Sequence, residues 1–243
     1  MLVHSQCAVG ALRYRAFASE VVREACRTHA LCGVKLVTNT ASSGDIATGM
    51  AICSSRWCMK QCSLDEVELV HLSEDASLWS LREPLGANDV AINRFQLAPR
   101  SRVPWGLHAH YDQEELFIVI DGTLTFETLN GERSLGTDEA IRFAPGEFQT
   151  AKNETGETVT YLAIGAPAGS DDIRIPLPCP TCDNHELQLD MNDDGLRCLA
   201  CGESVPAECQ VCGEDACEVR LGSMAGELVD YCRNCGRTES IRS

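Results

Sequence analysis

The sequence predicts an all-β protein, in which a barrel of short antiparallel strands precedes two small metal-binding modules. Two observations support this fold class. Between residues 90 and 164, short apolar segments are separated by close turn signals, as in antiparallel sandwiches and barrels. After residue 178, eight of nine cysteines form Cys-x-x-Cys pairs, a spacing typical of bound zinc. No apolar run reaches the about 18 residues of a membrane-spanning helix, so we expect no membrane partner.

Charge divides the chain near Met59. The 243 residues carry a formal net charge of −16, but residues 1–58 carry +3 and residues 59–243 carry −19. The first 62 residues also hold six cysteines without a pair spacing. We therefore expect residues 1–58 to be a poorly ordered extension, which an over-extended start with Met59 as the true first residue would explain. An Arg-rich targeting peptide is the alternative.

The acidic composition restricts the classes of partner and compartment. Only three of the 20 basic residues are lysines, and an acidic, lysine-poor surface favours a halophilic protein, because such surfaces stay hydrated in salt. An acidic mesophilic protein is the alternative. The excess of carboxylates argues against a phosphate-binding surface. Metal-binding cysteine pairs need free thiolates and hence a reducing compartment, so we expect a cytoplasmic protein.

The barrel elements follow from periodicity and turn residues. Residues 67–72 are typical of an edge strand, residues 83–88 of a loop, and Asn130-Gly131 of a tight hairpin. The predicted barrel strands are residues 90–98, 107–110, 115–120, 123–129, 133–135, 140–143, 148–152 and 158–164. A Gly-, Pro- and Ser-containing stretch at residues 167–178 indicates a linker. The barrel domain is therefore predicted at residues 64–166.

One short stretch of the barrel collects metal-binding side chains. His108 and His110 are two residues apart on a predicted strand, so both leave the same face. Glu115 opens the next strand, after a polar reversal in which Gln113 and Glu114 are expected to be solvated. Two imidazoles and a carboxylate suit a divalent transition metal. A barrel whose histidines only form hydrogen bonds is the alternative.

These residues resemble the two motifs of the cupin superfamily. The first motif is His-x-His, three or four residues, Glu, six residues and Gly, and the matching residues are His108, His110, Glu115 and Gly122. The second is Pro-x-Gly-x-x-His-x-x-x-Asn. Gly146 and Asn153 match it, Ala144 holds the Pro position, and Gln149 stands where the family has a third histidine. The resemblance covers about residues 64–166.

The resemblance implies a jelly-roll barrel with one divalent metal, Fe, Mn, Ni or Zn, bound by His108, His110, Glu115 and Gln149. It also implies metal-dependent dioxygenase, isomerase or lyase activity on a small organic molecule, or a non-enzymatic sensor of such a molecule. A homodimer is a further expectation. Strand parity places Phe117 and Val119 on the face of Glu115, where they would line the pocket. Asn93 would be a buried pocket residue or a structural amide.

The cysteine pairs at the carboxy-terminal end predict two zinc ribbons. Gaps of 15 and 19 residues fit zinc sites made from two pairs each. If the Cys-x-x-Cys pairs combine in chain order, they form one module at residues 179–205 and a second at residues 206–238. The alternative is that the first pair combines with the third. The predicted ligands are Cys179, Cys182, Cys198 and Cys201, then Cys209, Cys212, Cys232 and Cys235. Four thiolates leave no open position, so both zinc ions would be structural. If the barrel is a sensor, the ribbons would dock a protein or nucleic acid.

Overall fold

The computed structural model describes residues 59–190, 195–214, 216–224 and 226–241. The prediction for residues 1–58 lies outside these ranges. The elements are a 3-10 helix η1 (Leu64–Glu66), a one-turn helix α1 (Arg82–Leu85) and the strands β1 (Leu69–His71), β2 (Ala76–Ser80), β3 (Ala91–Leu97), β4 (Ala109–His110), β5 (Glu114–Asp121), β6 (Thr123–Thr128), β7 (Gly131–Gly136), β8 (Ala140–Phe143), β9 (Gln149–Lys152), β10 (Val159–Ala166), β11 (Ile173–Ile175), β12 (Leu187–Asp190), β13 (Gly195–Arg197), β14 (Ser204–Pro206), β15 (Cys217–Leu221), β16 (Leu228–Cys232) and β17 (Thr238–Ile241). Neither helix of the described residues has the length and apolar character that a membrane span requires.

Two antiparallel sheets form the barrel. The larger has the strand order β1-β2-β3-β10-β5-β8 and the smaller β7-β6-β9. Their inner faces share one core, because Phe117 of β5 and Phe126 of β6 have ring centroids 4.8 Å apart. The predicted hairpin is present, with Thr128 of β6 opposite Gly131 of β7. The prediction of an all-β barrel is confirmed.

The first cysteine module continues a barrel strand. Its sheet has the order β14-β13-β12-β11-β4, and β4 carries His110. The sequence predicted a linker over residues 167–178, but Ile173–Ile175 form β11 within this stretch. Ile173 and Ile175 are buried on either side of the half-buried Arg174. Because this alternation spans only three residues and follows Gly and Ser residues, the sequence pattern did not indicate a strand.

The second cysteine module consists of β15-β16-β17 and lies against the loop before β4. The N–H of Leu107 donates to the carbonyl oxygen of Val219 in β15, 2.7 Å away. Gly106 has a φ of +64°, and a Cβ added there would lie 2.7 Å from the Cβ of Glu218. A glycine is therefore needed at this contact for both conformation and space.

The strand β2 and the helix α1 were also not predicted from the sequence. The strand β2 pairs with β3 in the large sheet, although residues 76–80 carry no strong alternation of apolar and polar side chains. The predicted loop at residues 83–88 begins inside α1, which ends at Gly86 in the left-handed conformation with φ 61°. These elements matter for the site, because they bring Ser80 and Arg82 to the rim of the barrel cavity.

Candidate metal centre and its cavity

Three potential metal ligands converge inside the barrel. His108 forms an isolated bridge with Gln149 of β9, His110 lies in β4, and Glu115 lies in β5. One ligand atom from each of His108, His110 and Glu115 lies within 4.8 Å of the others. The His110 Nε2 and Glu115 Oε1 atoms are 3.6 Å apart. The structure thus brings together residues that lie on different strands.

The ring orientation of His108 is fixed by its backbone surroundings. Its Nδ1 lies 3.0 Å from the carbonyl oxygen of Gly106, so Nδ1 carries the proton and donates it to that oxygen. The other nitrogen, Nε2, is then an acceptor that faces Glu115 and Gln149. Such a bond to the outer nitrogen selects the tautomer that a metal ligand requires.

Burial sets the charge of the three groups. It lowers the pKa of His110 to about 4. Burial, followed by the neighbouring His110, also lowers the pKa of His108. Both imidazoles are therefore neutral at neutral pH, the form that binds metal. Burial raises the pKa of Glu115, because a carboxylate loses hydration there, and a cation would offset this loss.

The donor set fits a divalent transition metal. Two neutral imidazoles and one carboxylate match the preferred ligands of such ions. His110 Nδ1 is also buried without a hydrogen-bond partner among the described residues, so one polar atom of this ring remains unsatisfied. His108, His110 and Glu115 would hold the ion.

Gln149 reaches the same point but presents its amide nitrogen. Nε2 donates to Glu115 Oε2 at 2.8 Å and lies 3.4 Å from His108 Nε2. In this orientation Gln149 holds the carboxylate of Glu115. A half-turn of the terminal amide would direct its oxygen to the same place, which is the arrangement that the predicted fourth ligand requires.

A cavity of about 340 Å³ opens beside these residues. Asn93 and Phe117, both predicted as pocket residues, line it. Val119, also predicted to line the pocket, is fully buried in the hydrophobic core. Val119 lies two residues from Phe117 on the same strand face but does not line the cavity, and Tyr161 of β10 lies directly opposite Val119.

Gln113 and Tyr161 are among the cavity residues that were not predicted from the sequence. Gln113 was expected to be solvated, but it is 6% exposed, lines the cavity and donates to the carbonyl oxygen of Pro167 at 2.6 Å. It fits because Gly165 has no side chain: a Cβ there would lie 2.7 Å from Gln113 Cδ. Tyr161 lines the cavity and stacks on Phe95, with ring centroids 5.0 Å apart. Tyr161 lies two residues after the apolar Val159 on the same strand, so the alternation of strand faces could have predicted that its side chain points inward.

The eight paired cysteines form two groups in chain order. The first contains Cys179, Cys182, Cys198 and Cys201, and the second contains Cys209, Cys212, Cys232 and Cys235. Within each group, two distances join an Sγ atom of one Cys-x-x-Cys pair to an Sγ atom of the other pair. They are 3.7 and 3.6 Å in the first group and both 3.7 Å in the second. A tetrahedral zinc with Zn–S bonds of about 2.3 Å requires sulfurs about 3.8 Å apart. The observed geometry is therefore consistent with zinc-ribbon-like modules in which the cysteines group in chain order.

Comparison with known proteins agrees with the barrel. Residues 93–165 match the family model of the cupin domain, and no curated protein matches the chain. Among solved structures, the chain is similar to a sugar phosphate isomerase of the cupin superfamily from Silicibacter pomeroyi (21% identity over 47% of this chain and 85% of that chain, TM-score 0.41). It is also similar to the polyketide cyclase RemF from Streptomyces resistomycificus (22% identity over 48% and 84%, TM-score 0.42) and to a predicted oxalate decarboxylase from Thermotoga maritima (18% identity over 43% and 96%, TM-score 0.39). Residues 93–165 of the barrel therefore match a cupin domain, and two zinc-ribbon-like cysteine modules follow the barrel.

Proposed function

We propose that the barrel binds one divalent transition metal through His108, His110 and Glu115, and that a small organic molecule reacts beside it. The observation that carries this proposal is the convergence of three ligand atoms, within 4.8 Å of one another, at the wall of a cavity of about 340 Å³. A cavity of this volume lies in the range that binds small molecules. Three protein ligands leave further positions open for that molecule.

The chain's own residues prepare the site. A bound ion would supply Lewis acidity and a fixed point for an oxygen of the substrate. Gln149 holds the Glu115 carboxylate through its 2.8 Å hydrogen bond. Burial strongly raises the pKa of Tyr161, so its hydroxyl keeps its proton at neutral pH and can donate a hydrogen bond to a ligand in the cavity. Glu115 and the exposed Glu83 are the carboxylates among the described residues that line the cavity. The chemistry is therefore centred on the metal, as in dioxygenases, isomerases and lyases.

The two cysteine modules have a structural role in this proposal. Each would bind one zinc through four thiolates, which leaves no position for a substrate. The Sγ geometry and the separation of both groups from the barrel cavity support this division of roles.

A second candidate function is a sensor whose modules dock a protein or nucleic acid. The observation in its favour is that Leu199 and Val211 lie inside Cys-x-x-Cys turns and are 53% and 69% exposed. Apolar side chains at the tips of two rigid turns could contact a partner. In this case the barrel would bind its small molecule without converting it.

Elemental analysis of protein purified without added metal tests the proposal. The expected content is two zinc ions and one further divalent transition metal per chain. Metal-loaded protein is then incubated with a broad panel of small organic molecules, and products are sought by mass spectrometry. Turnover supports the enzyme; binding without turnover supports the sensor. Two zinc ions, with no uptake of a third ion on titration, would refute the barrel site.

A further inference from the structure

The cavity has a cationic side chain at its rim. Arg82 of α1 lines the same cavity as His108, His110 and Glu115. It is half-buried, and its Nε donates to the carbonyl oxygen of Ala87 at 3.3 Å. Within the described residues, no carboxylate pairs with Arg82, although residues 59–243 carry a net charge of −19. The two terminal nitrogens of its guanidinium can therefore serve an acidic group that enters the cavity.

Strand register places Arg82 several strands away from Glu115 in the large sheet. The N–H of Leu81 donates to Ile92 O at 2.8 Å, which brings the next residue, Arg82, beside Ala91 at the start of β3. Three inter-strand spacings separate the two ends in the order β2-β3-β10-β5. At about 4.8 Å per strand, the backbones of Arg82 and Glu115 are about 14 Å apart along the sheet.

Small residues leave room between these two ends. Ala91 lies opposite Gly165, and Gly165 lies opposite Glu115. In the next row, Ala163 lies between Asn93 and Phe117. The central strand β10 therefore presents no large side chain in either row. Gln113 occupies the space above Gly165, and Gln113, Ala91 and Ala163 line the cavity.

The cavity is lined by aromatic side chains in one part and by polar side chains in another. Phe95 and Tyr161, whose rings stack on each other with an interplanar angle of 4°, form an apolar part of the wall. Ser80 and Asn93 pair directly across β2 and β3 near Arg82, and both line the cavity. A molecule that fills this space would thus meet a metal at one end, amide, hydroxyl and guanidinium groups at the other end, and, along one side, the aromatic rings of the row beyond Asn93 and Ala163.

We infer that the cavity selects small organic acids, and that Arg82 is the residue that determines this selectivity by pairing with their carboxylate. The inference rests on the proposed metal site, which would take an oxygen donor at the opposite end of the acid. Arginine suits this role because its planar fork matches a carboxylate with two hydrogen bonds. Glu83, the neighbouring residue, also lines the cavity. Its exposed carboxylate is hydrated and screened, so it opposes an entering acid only weakly.

A matched pair of probes tests the inference. The full chain, with Zn²⁺ in the barrel to avoid redox reactions, is titrated calorimetrically with 3,4-dihydroxybenzoate and with 3,4-dihydroxybenzamide. Both probes carry the same two metal-binding oxygens, and only the first carries a charge at the other end. We expect the acid to bind about 10- to 100-fold more tightly, as for a hydrogen-bonded charge pair.

Variants assign the preference to Arg82. Arg82→Gln should remove the preference for the acid and leave the affinity for the amide unchanged. Arg82→Lys should retain part of the preference for the acid. It replaces Arg82→Gln in the test if Arg82→Gln does not fold. Glu83→Gln, the control for a general charge effect, should change the ratio less than threefold. Equal affinity of wild type for both probes, or an unchanged preference in Arg82→Gln, would overturn the inference and leave the metal site standing. If neither probe binds the zinc-loaded barrel, both the inference and the proposed ligand site fail.

Discussion

The backbone N–H of Leu107 donates to the carbonyl oxygen of Val219, 2.7 Å away, and this bond ties the histidine segment of the barrel to the second cysteine module. On the other side of the same segment, His110 pairs with Ile173 in the sheet of the first module. His108 lies between them and bridges to Gln149 within the barrel. Both candidate histidines are therefore held by the barrel and by the two modules together.

We predict that Cys198→Ser releases one zinc and retains the other. Four ligands hold each ion, and metal binding is coupled to the folding of such modules. Because β13 connects through β12 and β11 to β4, the change should also increase hydrogen exchange at residues 107–110. Elemental analysis and exchange mass spectrometry measure both effects. Cys217→Ser, which lies outside the two groups, should keep both ions. Loss of both ions in Cys198→Ser would contradict pairing in chain order.

Gln149→His should tighten metal binding in the barrel. An imidazole is a better donor than an amide for this class of metal, and Gln149 already lies 3.4 Å from His108 Nε2. Competition with a chelator measures the affinity. Gln149→Ala is the companion variant and should weaken binding, since it removes the hydrogen bond to Glu115. Weaker binding in Gln149→His would indicate that the native glutamine contacts the organic ligand instead.

Gly165→Ala should destabilise the barrel by about 1–3 kcal/mol, the usual effect of overpacking. The added Cβ would lie 2.7 Å from Gln113 Cδ, so Gln113 must leave its place and lose its bond to Pro167. Urea unfolding measures the change. Gly156→Ala is the control, because no atom lies within 4 Å of its Cβ. Equal stability of the two variants would mean that Gln113 moves freely.

Glu127→Gln should destabilise the protein at neutral pH by about 1–3 kcal/mol. Burial alone would raise the pKa of Glu127, but hydrogen bonds and charges from Arg102 and Lys152 outweigh it and lower the pKa below 4.5. Arg102 Nη2 lies 2.7 Å from Glu127 Oε1, and Lys152 Nζ lies 3.2 Å from it.

The pH dependence of this effect has a definite sign. A carboxylate with a lowered folded-state pKa stabilises the protein above its unfolded pKa, and this contribution disappears as the pH falls through the folded value. The difference between wild type and Glu127→Gln should therefore narrow below about pH 4.5. Denaturant unfolding across pH 3–7 measures it. Glu132→Gln, at a more exposed partner of Lys152, should cost under about 1 kcal/mol. A difference that stays constant into acid would contradict the role of the ion pairs.

The sequence predicted those features that depend on local pattern. His108, His110 and Glu115 were found because strand parity and a compact motif place them together, and the cysteine groups because zinc fixes their spacing. Gln113 was placed wrongly, because its burial depends on Gly165, which is distant in the chain and adjacent only after β5 pairs with β10. The strand β11 was read as a linker for a similar reason: three residues become a strand only when β4 and β12 supply partners on both sides.

Metal content of wild type and His110→Ala, measured side by side after purification without added metal, tests the barrel site most directly. The variant removes one of the three converging ligands and none of the eight cysteines. We predict two zinc ions and one further transition metal in wild type, and two zinc ions alone in His110→Ala. An unchanged metal content in His110→Ala would contradict the barrel metal site and leave His108 and His110 with a structural role.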